Sequence, residues 1–418
     1  MRVFPKIFRA GRRQTLFYRS HTDAAQVGIR IFGMEAYSLP RTERMRIDEE
    51  VRHPFHPMVK VGDHLYAIEY DFGAEQRYTF RTQEDGKDAS YGNVYTLEED
   101  LFSLSFFKGD THMHSARSDG KGTPFEVACA YRRCGFDFIC LTDHHRYAPS
   151  LEARDAVAAL TDAFTVFPGE EVHNKDMGYV HTVNFAGGVS VNDIIENNPA
   201  YVEKRLAEIK AGLALPDGLD AATVAMRAFI SEEIRKGGGL SVLAHPFWNT
   251  GGEYSMETAE AVYHLEHGTF DALELLASDD RDGNGDNLQV ALYYHLRDRG
   301  IRTPILGASD RHDPESPYTY FNRHFSLVFA SESAEIPEAV LAGRSVAVNR
   351  RTDQDFFVFG DYRLVKYTRF LLNEFYPLYL PLAEAHAGAM AAANGGRTKE
   401  ILEAEEAIAA LRAEFFAD

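Results

Sequence analysis

Apolar and polar residues alternate in short runs through the first part of the chain, up to about residue 106. Such runs occur at 26–32, 64–70 and 77–81, and Gly, Pro and Asp residues separate them. A period of two residues is typical of antiparallel strands that bury one face. We therefore predict an accessory all-β domain, resembling a sandwich, over residues 1–106.

From residue 107 onward, short apolar segments alternate with segments of helical periodicity. Helices are predicted at Pro124–Arg133, Glu152–Ala163 and Asn287–Arg299, between apolar runs that end in polar residues. Repeated strand–helix units favour a parallel sheet, and seven repeats favour a barrel over an open sheet. The sequence therefore predicts an α/β fold with a TIM-like barrel over residues 107–350.

Two segments fall outside this repeat. Residues 188–239 are rich in helical patterns and longer than an ordinary connection, so we predict a helical insertion that caps the site. Residues 351–418 form a mostly helical C-terminal extension, in which Lys399–Phe416 has the spacing of an amphipathic helix.

The composition narrows the class of protein. The 418 residues are 45% hydrophobic and 26% charged, which excludes disordered and fibrous proteins. The net charge of −19 argues against binding to extended nucleic acid, because such a field repels a polyanion. No stretch is apolar over the roughly 20 residues that span a bilayer, so no membrane association is expected.

The cysteines and the N-terminal residues bear on location. Cys129, Cys134 and Cys140 form an odd, clustered set without a disulfide framework or a CxxC zinc pair. The first twenty residues are basic but lack the sustained apolar core of a secretory signal. We expect reduced thiols and a cytoplasmic protein.

Histidine and acidic residues follow the apolar strands of the predicted barrel. His112 and His114 stand two apart on a strand, so both imidazoles point the same way and can reach one metal ion. The other candidates follow later strands or the loop after the first strand: Asp119, Asp143, His144, Glu171, His181, His245, Asp310 and His312. Because all strand ends of a parallel barrel lie on one face, these residues are expected to converge.

A single histidine at a strand end is more often a hydrogen-bonded structural residue than a metal ligand. Seven strand ends with such groups are different, because buried carboxylates and imidazoles without a counter-charge are costly. Divalent cations supply that charge, and nitrogen and oxygen donors leave zinc, manganese and iron as candidates. The sequence therefore predicts a site for divalent metal ions.

Residues 106–347 resemble the polymerase-and-histidinol-phosphatase (PHP) superfamily of metal-dependent phosphoesterases. Four motifs carry the resemblance in the family's order: His112-Met-His114, Thr142-Asp143-His144, Leu-Ala-His245-Pro and Asp310-Arg-His312. The leading β-domain and the run from Phe167 to Val172, followed by His181, look most like the carbaryl-hydrolase-like metallohydrolase branch. An amidohydrolase barrel also opens with HxH, but that type uses a bridging lysine and a final lone aspartate.

The resemblance implies a distorted (β/α)7 barrel with two or three divalent ions, zinc, manganese or iron. The first ion would be held by His112, His114, Glu171 and Asp310. Glu171 would bridge to a second ion held also by His181 and His245. The third ion would be held by Asp119, His144 and His312. Glu170 is the rival of Glu171, but strand alternation points Glu170 the other way.

Three further residues complete the predicted catalytic set. Asp143 is expected to orient His112 or His144, and Arg117 and Arg146 are expected to steer the phosphate from their loops. Weaker candidates also lie beside the ligands: Lys121, Lys175 and Arg311 for phosphate (Arg311 pointing outward by alternation), His145 and His173 for the cavity, and Glu274 for orienting a ligand.

These residues predict a metal-dependent phosphoesterase that hydrolyses a small phosphorylated metabolite or nucleotide by means of a metal-bridging hydroxide. The alternative is a carboxyl or carbamate ester hydrolase that uses the same multinuclear site. A non-catalytic scaffold on a decayed barrel is disfavoured, because every ligand position is filled. The expected partner is a small anionic substrate. The β-domain either shields the barrel, binds substrate or forms a homodimer contact, and the sequence leaves these three roles open.

Overall fold

The computed structural model describes residues 1–35, 53–174, 180–250, 252–277, 284–313, 323–352 and 355–417. Its chain divides into two compact units. The first comprises Met1–Ser105, Phe370–Tyr379 and Glu406–Asp418, and the second comprises Phe106–Arg369 and Leu380–Glu405. The C-terminal residues are therefore shared between the units.

The first unit is built from two sheets over one core. Its strands are β1 (Val3–Phe4), β2 (Ile7–Arg9), β3 (Arg13–Arg19), β4 (Val27–Gly33), β5 (His56–Pro57), β6 (Val59–Gly62), β7 (Leu65–Asp71), β8 (Arg77–Glu84) and β9 (Lys87–Leu97). The strand orders are β1-β3-β7-β6 and β2-β9-β8-β4-β5. Alternate residues of both sheets, such as Leu16 and Phe80, meet in a shared buried cluster, as the period of two requires.

The strands of the second unit form two larger sheets and a hairpin. They are β10 (Ser105–Asp110), β11 (Phe138–Cys140), β12 (Thr165–Phe167), β13 (Gly169–Asn174), β14 (Val180–Phe185), β15 (Leu240–Leu243), β16 (Asn249–Thr250), β17 (Glu253–Tyr254), β18 (Ala272–Leu276), β19 (Ile305–Gly307), β20 (His324–Ala330), β21 (Ser345–Arg350) and β22 (Phe356–Phe359). The orders are β12-β11-β10-β20-β21-β22 and β13-β14-β15-β18-β19, and β16 pairs with β17.

Twelve α-helices lie in the described parts of the chain. They are α1 (Glu99–Phe102), α2 (Pro124–Arg133), α3 (Ala148–Ala158), α4 (Val191–Asn197), α5 (Pro199–Gly212), α6 (Ala221–Lys236), α7 (Thr258–Glu266), α8 (Asn284–Asp298), α9 (Ile336–Leu341), α10 (Tyr362–Glu374), α11 (Tyr376–Ala392) and α12 (Lys399–Phe415). Helices α4, α5 and α6 occupy the segment in which a helical insertion was predicted. None of the helices in these described ranges has the length and apolar character to cross a bilayer.

The prediction of a wholly parallel sheet is wrong. Strand β13 pairs antiparallel with β14, which pairs antiparallel with β15. Only residues 175–179 separate β13 from β14, and a connection that short permits a hairpin but not a parallel crossover. The pairs β20–β21 and β21–β22 are also antiparallel.

A single closed barrel sheet is not present among the described residues. The two large sheets of the second unit are instead linked by two isolated parallel bridges, Met113 to Arg311 and His144 to Glu171. One buried cluster contains side chains from both sheets, among them Phe138 and Val242. The residues that follow β10, β11 and β19 are thereby held beside the middle of β13.

Candidate metal centre

The predicted ligands lie within or just after strands of the two sheets that the bridges link. His112 and His114 follow β10, His144 follows β11, and Glu171 lies in β13. The next strands supply the rest, with His181 in β14, His245 after β15, and Asp310 and His312 after β19. The ligands that follow β10, β11, β15 and β19 thus meet at one rim with Glu171 and His181, which lie inside the antiparallel strands β13 and β14.

Glu171 is the centre of this group. Its fully buried carboxylate lies 3.1 Å from His112 Nε2, 2.9 Å from His144 Nδ1 and 2.5 Å from His181 Nδ1. His114 Nε2 and His245 Nε2 are 3.4 and 3.5 Å away. Burial raises the pKa of this carboxyl, but the surrounding imidazoles outweigh it and hold the pKa well below its usual value.

Asp310 forms the second anionic corner of the site. Its Oδ1 lies 3.0 Å from His114 Nε2 and 3.3 Å from His112 Nε2. Burial opposes the charge of Asp310, yet His112, His114 and His245 lower its pKa below the usual range. The donor atoms of His112, His114, Glu171 and Asp310 all lie within 4.8 Å of one another, as one cation would require.

A second group with the same spacing joins His114, Asp119, His144 and His312. Asp119 Oδ2 is 3.4 Å from His312 Nε2 and 3.6 Å from His144 Nε2, and Asp119 Oδ1 is 3.9 Å from His114 Nδ1. The Asp119 side chain is 55% exposed, so this group opens to solvent.

A third group consists of His144, Glu171 and His181. For the second ion, the resemblance predicted the ligands Glu171, His181 and His245. His245 stays close, with its Nε2 at 3.5 Å from Glu171 Oε1 and 3.8 Å from Asp310 Oδ2. His144 therefore lies between two groups, with Nδ1 toward Glu171 and Nε2 toward Asp119.

The donor set fits divalent cations. The buried atoms His114 Nδ1, His181 Nε2 and His245 Nδ1 have no hydrogen-bond partner within the parts of the chain that the structure describes. Buried imidazole nitrogens without partners are costly, and a cation or a substrate group relieves that cost. Imidazole nitrogens beside carboxylate oxygens suit zinc, manganese and iron.

Glu274, in β18, supports two of these histidines from behind. Its Oε1 lies 2.9 Å from His112 Nδ1, and its Oε2 accepts a hydrogen bond from the His245 backbone N–H at 3.2 Å. A proton held on Nδ1 by this carboxylate leaves the Nε2 lone pair of His112 directed at Glu171 and Asp310.

Asp110 is a supporting residue that the sequence analysis missed. Its Oδ1 accepts hydrogen bonds from the backbone N–H groups of His112 and Ser309, both at 3.1 Å. Burial raises the pKa of Asp110 to about 7. The available signal was a carboxylate at the end of an apolar strand, two residues before the HxH pair.

The expectation that Asp143 orients His112 or His144 is wrong. Its carboxylate accepts hydrogen bonds from the backbone and hydroxyl of Ser115, at 2.9 and 2.7 Å. It also accepts from the backbone and hydroxyl of Ser118, at 3.1 and 2.6 Å. Asp143 therefore braces the loop that carries Asp119.

Glu170 and Glu171 point in opposite directions, as neighbours on a strand do. Glu170 accepts hydrogen bonds from Ser190 Oγ at 2.9 Å, from the Val191 N–H at 2.5 Å and from Asn192 Nδ2 at 2.9 Å. It thus binds the N-terminus of α4, where a negative charge is favoured.

Backbone strain concentrates at this site. His145, His245 and Asp310 have φ values of 59°, 22° and 48°, in the left-handed region that non-glycine residues rarely adopt. Each such residue costs on the order of 1–3 kcal/mol and persists only where its surroundings enforce it. Two of these three residues, His245 and Asp310, are predicted ligands.

The predicted phosphate-steering cations differ in availability. Arg117 makes two hydrogen bonds to Glu152, at 3.0 and 2.8 Å, so its charge is already matched. Arg146 is exposed and has no ion pair within the described ranges. Lys121 pairs with Asp313 at 2.7 Å. Lys175 lies outside the described residues.

Arg311 does not point outward as alternation predicted. It is buried and donates from Nε to the Asp313 carbonyl at 2.8 Å. Its own carbonyl accepts from the His114 N–H at 2.8 Å, so Arg311 belongs to the bridge that joins the two sheets.

A cavity of about 860 Å³ opens beside the ligands, within the usual range for small-molecule sites. It is lined by Arg117, Ser118, Asp119, His144, His145, Arg146, His173, His181, Trp248, Glu253, Tyr254 and Ser255. The stacked rings of His145 and His173, 5.0 Å apart, form part of this wall. Trp248 and Tyr254 were not singled out from the sequence.

The chain is similar to PHP-like metal-dependent phosphoesterases of known structure. A two-domain protein from Bacteroides vulgatus that contains a predicted phosphoesterase of this kind is 19% identical over 65% of this chain and 71% of its own, with a TM-score of 0.45. A protein from Bifidobacterium adolescentis described as a metal-dependent phosphoesterase is 17% identical over 50% of this chain and 89% of its own, with a TM-score of 0.36.

A further structure, an amidohydrolase from Chromobacterium violaceum with bound sulfate and no metal, is 19% identical over 50% of this chain and 88% of its own, with a TM-score of 0.33. No family model and no curated protein matches the sequence. Because all three TM-scores are below 0.5, these likenesses transfer no activity, metal or substrate to this chain. Membership of the carbaryl-hydrolase-like branch stays a prediction.

Proposed function

We propose that this chain is a PHP-type metal-dependent phosphoesterase that hydrolyses a small phosphorylated metabolite or nucleotide. The observation that carries the proposal is the convergence of five imidazoles on the buried Glu171 carboxylate, with Asp310 beside them. The proposed ligands of two or three zinc, manganese or iron ions are His112, His114, Asp119, His144, Glu171, His181, His245, Asp310 and His312.

The arrangement of the strands supports a distorted seven-stranded barrel over residues 107–350. The five strands β13-β14-β15-β18-β19 are linked to β10 through the Met113–Arg311 bridge and to β11 through the His144–Glu171 bridge. Since β10 also pairs with β11, this connectivity supports the proposed ring of seven strands. The helices of 188–239 are proposed to cap it, and the free cysteines support a cytoplasmic location.

When bound, divalent cations supply Lewis-acid charge that activates water and neutralises phosphate oxygens. Their combined charge exceeds that of the three carboxylates Asp119, Glu171 and Asp310, so the cleft attracts anions although the chain is acidic. Glu274 holds the proton of His112 on Nδ1, away from the site. Among the described cations of the cavity, Arg146 has no ion pair and is available to bind a non-bridging phosphate oxygen.

The test is hydrolysis by the metal-loaded protein of p-nitrophenyl phosphate and p-nitrophenyl acetate in parallel. We expect turnover of the phosphate, with loss of activity and of bound metal in Asp310→Asn. Asp155→Asn, an exposed acid in α3, is the matched control and should retain both. Turnover of the acetate alone would contradict the phosphoesterase and favour the ester hydrolase. If the metal-loaded protein turns over neither compound, the proposed function is contradicted.

A further inference from the structure

The β16–β17 hairpin is attached directly to the candidate ligand His245. Ser255, just after β17, donates its hydroxyl to the His245 carbonyl at 3.0 Å, and its N–H bonds to the Trp248 carbonyl at 2.9 Å. The backbone N–H of Trp248 in turn donates to the His245 carbonyl at 2.9 Å. These bonds fix the two ends of the hairpin relative to the candidate metal ligand.

Trp248 lies between the hairpin and the candidate ligands. Its ring centroid is 5.6 Å from that of His245 and 5.9 Å from that of His181, and the side chain lines the cavity. It is half-buried, and its indole N–H has no hydrogen-bond partner within the described ranges. Trp248 is also the one tryptophan of the chain.

Tyr254 adds a second aromatic ring to the same cavity. Its side chain is 45% exposed, and its ring meets the buried Phe247 edge-on at 5.5 Å. Packing against Phe247 restricts the ring while leaving much of its surface open. Large aromatic side chains that remain exposed in a concave site commonly mark a recognition surface.

The remaining walls are formed by charged and polar side chains and by the stacked rings of His145 and His173. Arg146 has no ion pair with any described residue, and Arg117 is matched by Glu152. Asp119 and Glu253 are the acids of the lining, and Asp119 lies within the candidate ligand group. The cavity therefore combines an anion-attracting end at the ligands with an aromatic side at the hairpin.

We propose that Trp248 and Tyr254 select phosphomonoesters whose leaving group carries a flat ring, which stacks on this aromatic side while the phosphate lies at the ligands. The inference rests on the proposed phosphoesterase function and adds to it a class of substrate. Offset stacking between aromatic groups is worth a factor of about 2 to 12 in binding. The selectivity is therefore expected in KM rather than in kcat.

The test compares benzyl phosphate with cyclohexylmethyl phosphate, which have leaving groups of similar size and basicity and differ in aromaticity. We expect the wild-type protein to show about a 3- to 10-fold higher kcat/KM for the benzyl ester. Trp248→Leu should abolish this preference, Tyr254→Leu should reduce it, and Trp248→Phe should retain most of it. Tyr362→Leu removes a 70% exposed ring outside the lining and should change nothing.

A second readout does not require turnover. Since Trp248 is the single tryptophan, benzylphosphonate, which cannot be hydrolysed, should quench the intrinsic fluorescence of the metal-loaded protein. Cyclohexylmethylphosphonate should quench it several-fold less at equal concentration. Metal content is measured for each variant, and the comparison rests on Tyr254→Leu if Trp248→Leu loses metal.

Each outcome decides one of the two claims. Equal kcat/KM values for the two esters in the wild type, or a preference that survives in both leucine variants, would overturn the aromatic selection and leave the phosphoesterase proposal intact. Failure of the metal-loaded protein to hydrolyse both esters and also p-nitrophenyl phosphate would overturn the proposed function. In that case equal quenching by the two phosphonates would also overturn the aromatic selection.

Discussion

Replacing Glu274 by Gln tests whether the hydrogen bonds that this carboxylate makes to His112 and His245 raise the metal affinity of the site. The carboxylate accepts from two groups, His112 Nδ1–H at 2.9 Å and the His245 N–H at 3.2 Å. An amide has one acceptor oxygen and one NH₂ group. In Glu274→Gln, the NH₂ group must therefore face one of these two donors, and that donor loses its acceptor. Where the amide N–H meets His112, it favours a proton on Nε2, the atom that faces Glu171 and Asp310.

The expected magnitude follows from this geometry. Partners that hold the far side of a ligand histidine typically change metal affinity by about 10- to 100-fold, which is about 1.4 to 2.7 kcal/mol. An unsatisfied donor in a fully buried site costs about 1 to 3 kcal/mol, which is of the same order. We therefore expect the affinity for zinc or manganese to fall by about 10- to 100-fold in Glu274→Gln.

The assay is competition for metal between the protein and a chromogenic chelator of known affinity. Glu170→Gln is the matched control, since Glu170 is equally buried but binds the N-terminus of α4 instead of a ligand. It should lower the free energy of unfolding and leave metal affinity within about twofold. Unchanged affinity in Glu274→Gln, or an equal loss in Glu170→Gln, would refute the reasoning.

Three other predictions address the loop, the cations and the pH dependence. Asp143→Asn should loosen the Ser115–Ser118 loop and lower the occupancy of the ion nearest Asp119 more than that of the others, measured by metal titration; a uniform loss would contradict this. Arg146→Ala should raise KM for a phosphate ester with little change in kcat. Because Arg117 is already paired with Glu152, Arg117→Ala should change KM and kcat by less than about twofold in steady-state kinetics. Burial, together with Arg132, lowers the pKa of His386 to about 4. Between pH 4 and 6.5 the unfolded chain therefore binds more protons at this residue than the folded chain does, so the free energy of unfolding falls as the pH drops through that window. Urea unfolding should show a loss of about 2 kcal/mol from this residue at pH 5 relative to pH 7, and His386→Asn, whose Oδ1 can replace Nδ1 as the acceptor from Arg132 Nε, should remove that part of the slope.

Helix positions were predictable where the ends carry local signals. The predicted helix at Pro124–Arg133 coincides with α2, because Thr123 and Glu126 form a capping box and Pro124 begins the first turn. The helix predicted at Glu152–Ala163 instead spans Ala148–Ala158, as its first turn lacks a capping side chain and begins around Pro149. Local sequence therefore sets an end well only where a cap is present.

The strand directions were harder to predict, because apolar runs look alike in parallel and antiparallel pairs. The length of the connection from β13 to β14 held the needed information, since five residues cannot carry a crossover. Strand alternation did separate Glu170 from Glu171. Alternation failed for Arg311, because the preceding residue, Asp310, has a positive φ and the backbone there no longer follows a regular strand.

The candidate ligands could be anticipated as a set but not in their detailed contacts. A polar residue after an apolar strand is visible in sequence, and the topology brings such residues together. The pairing of His112 with Glu274, which lie 162 positions apart, depends on side-chain packing that no local pattern encodes. The same is true of Asp143 and its serine partners, and of Trp248 at the hairpin.

Anomalous diffraction from crystals loaded with zinc or manganese tests the central claim most directly. We expect two or three peaks at bonding distance, about 2.0 to 2.2 Å, from nitrogen and oxygen atoms of the candidate ligands, with Glu171 bound to more than one ion. Metal-soaked crystals with no peak among His112, Glu171 and Asp310, or with peaks only at surface residues, would contradict it.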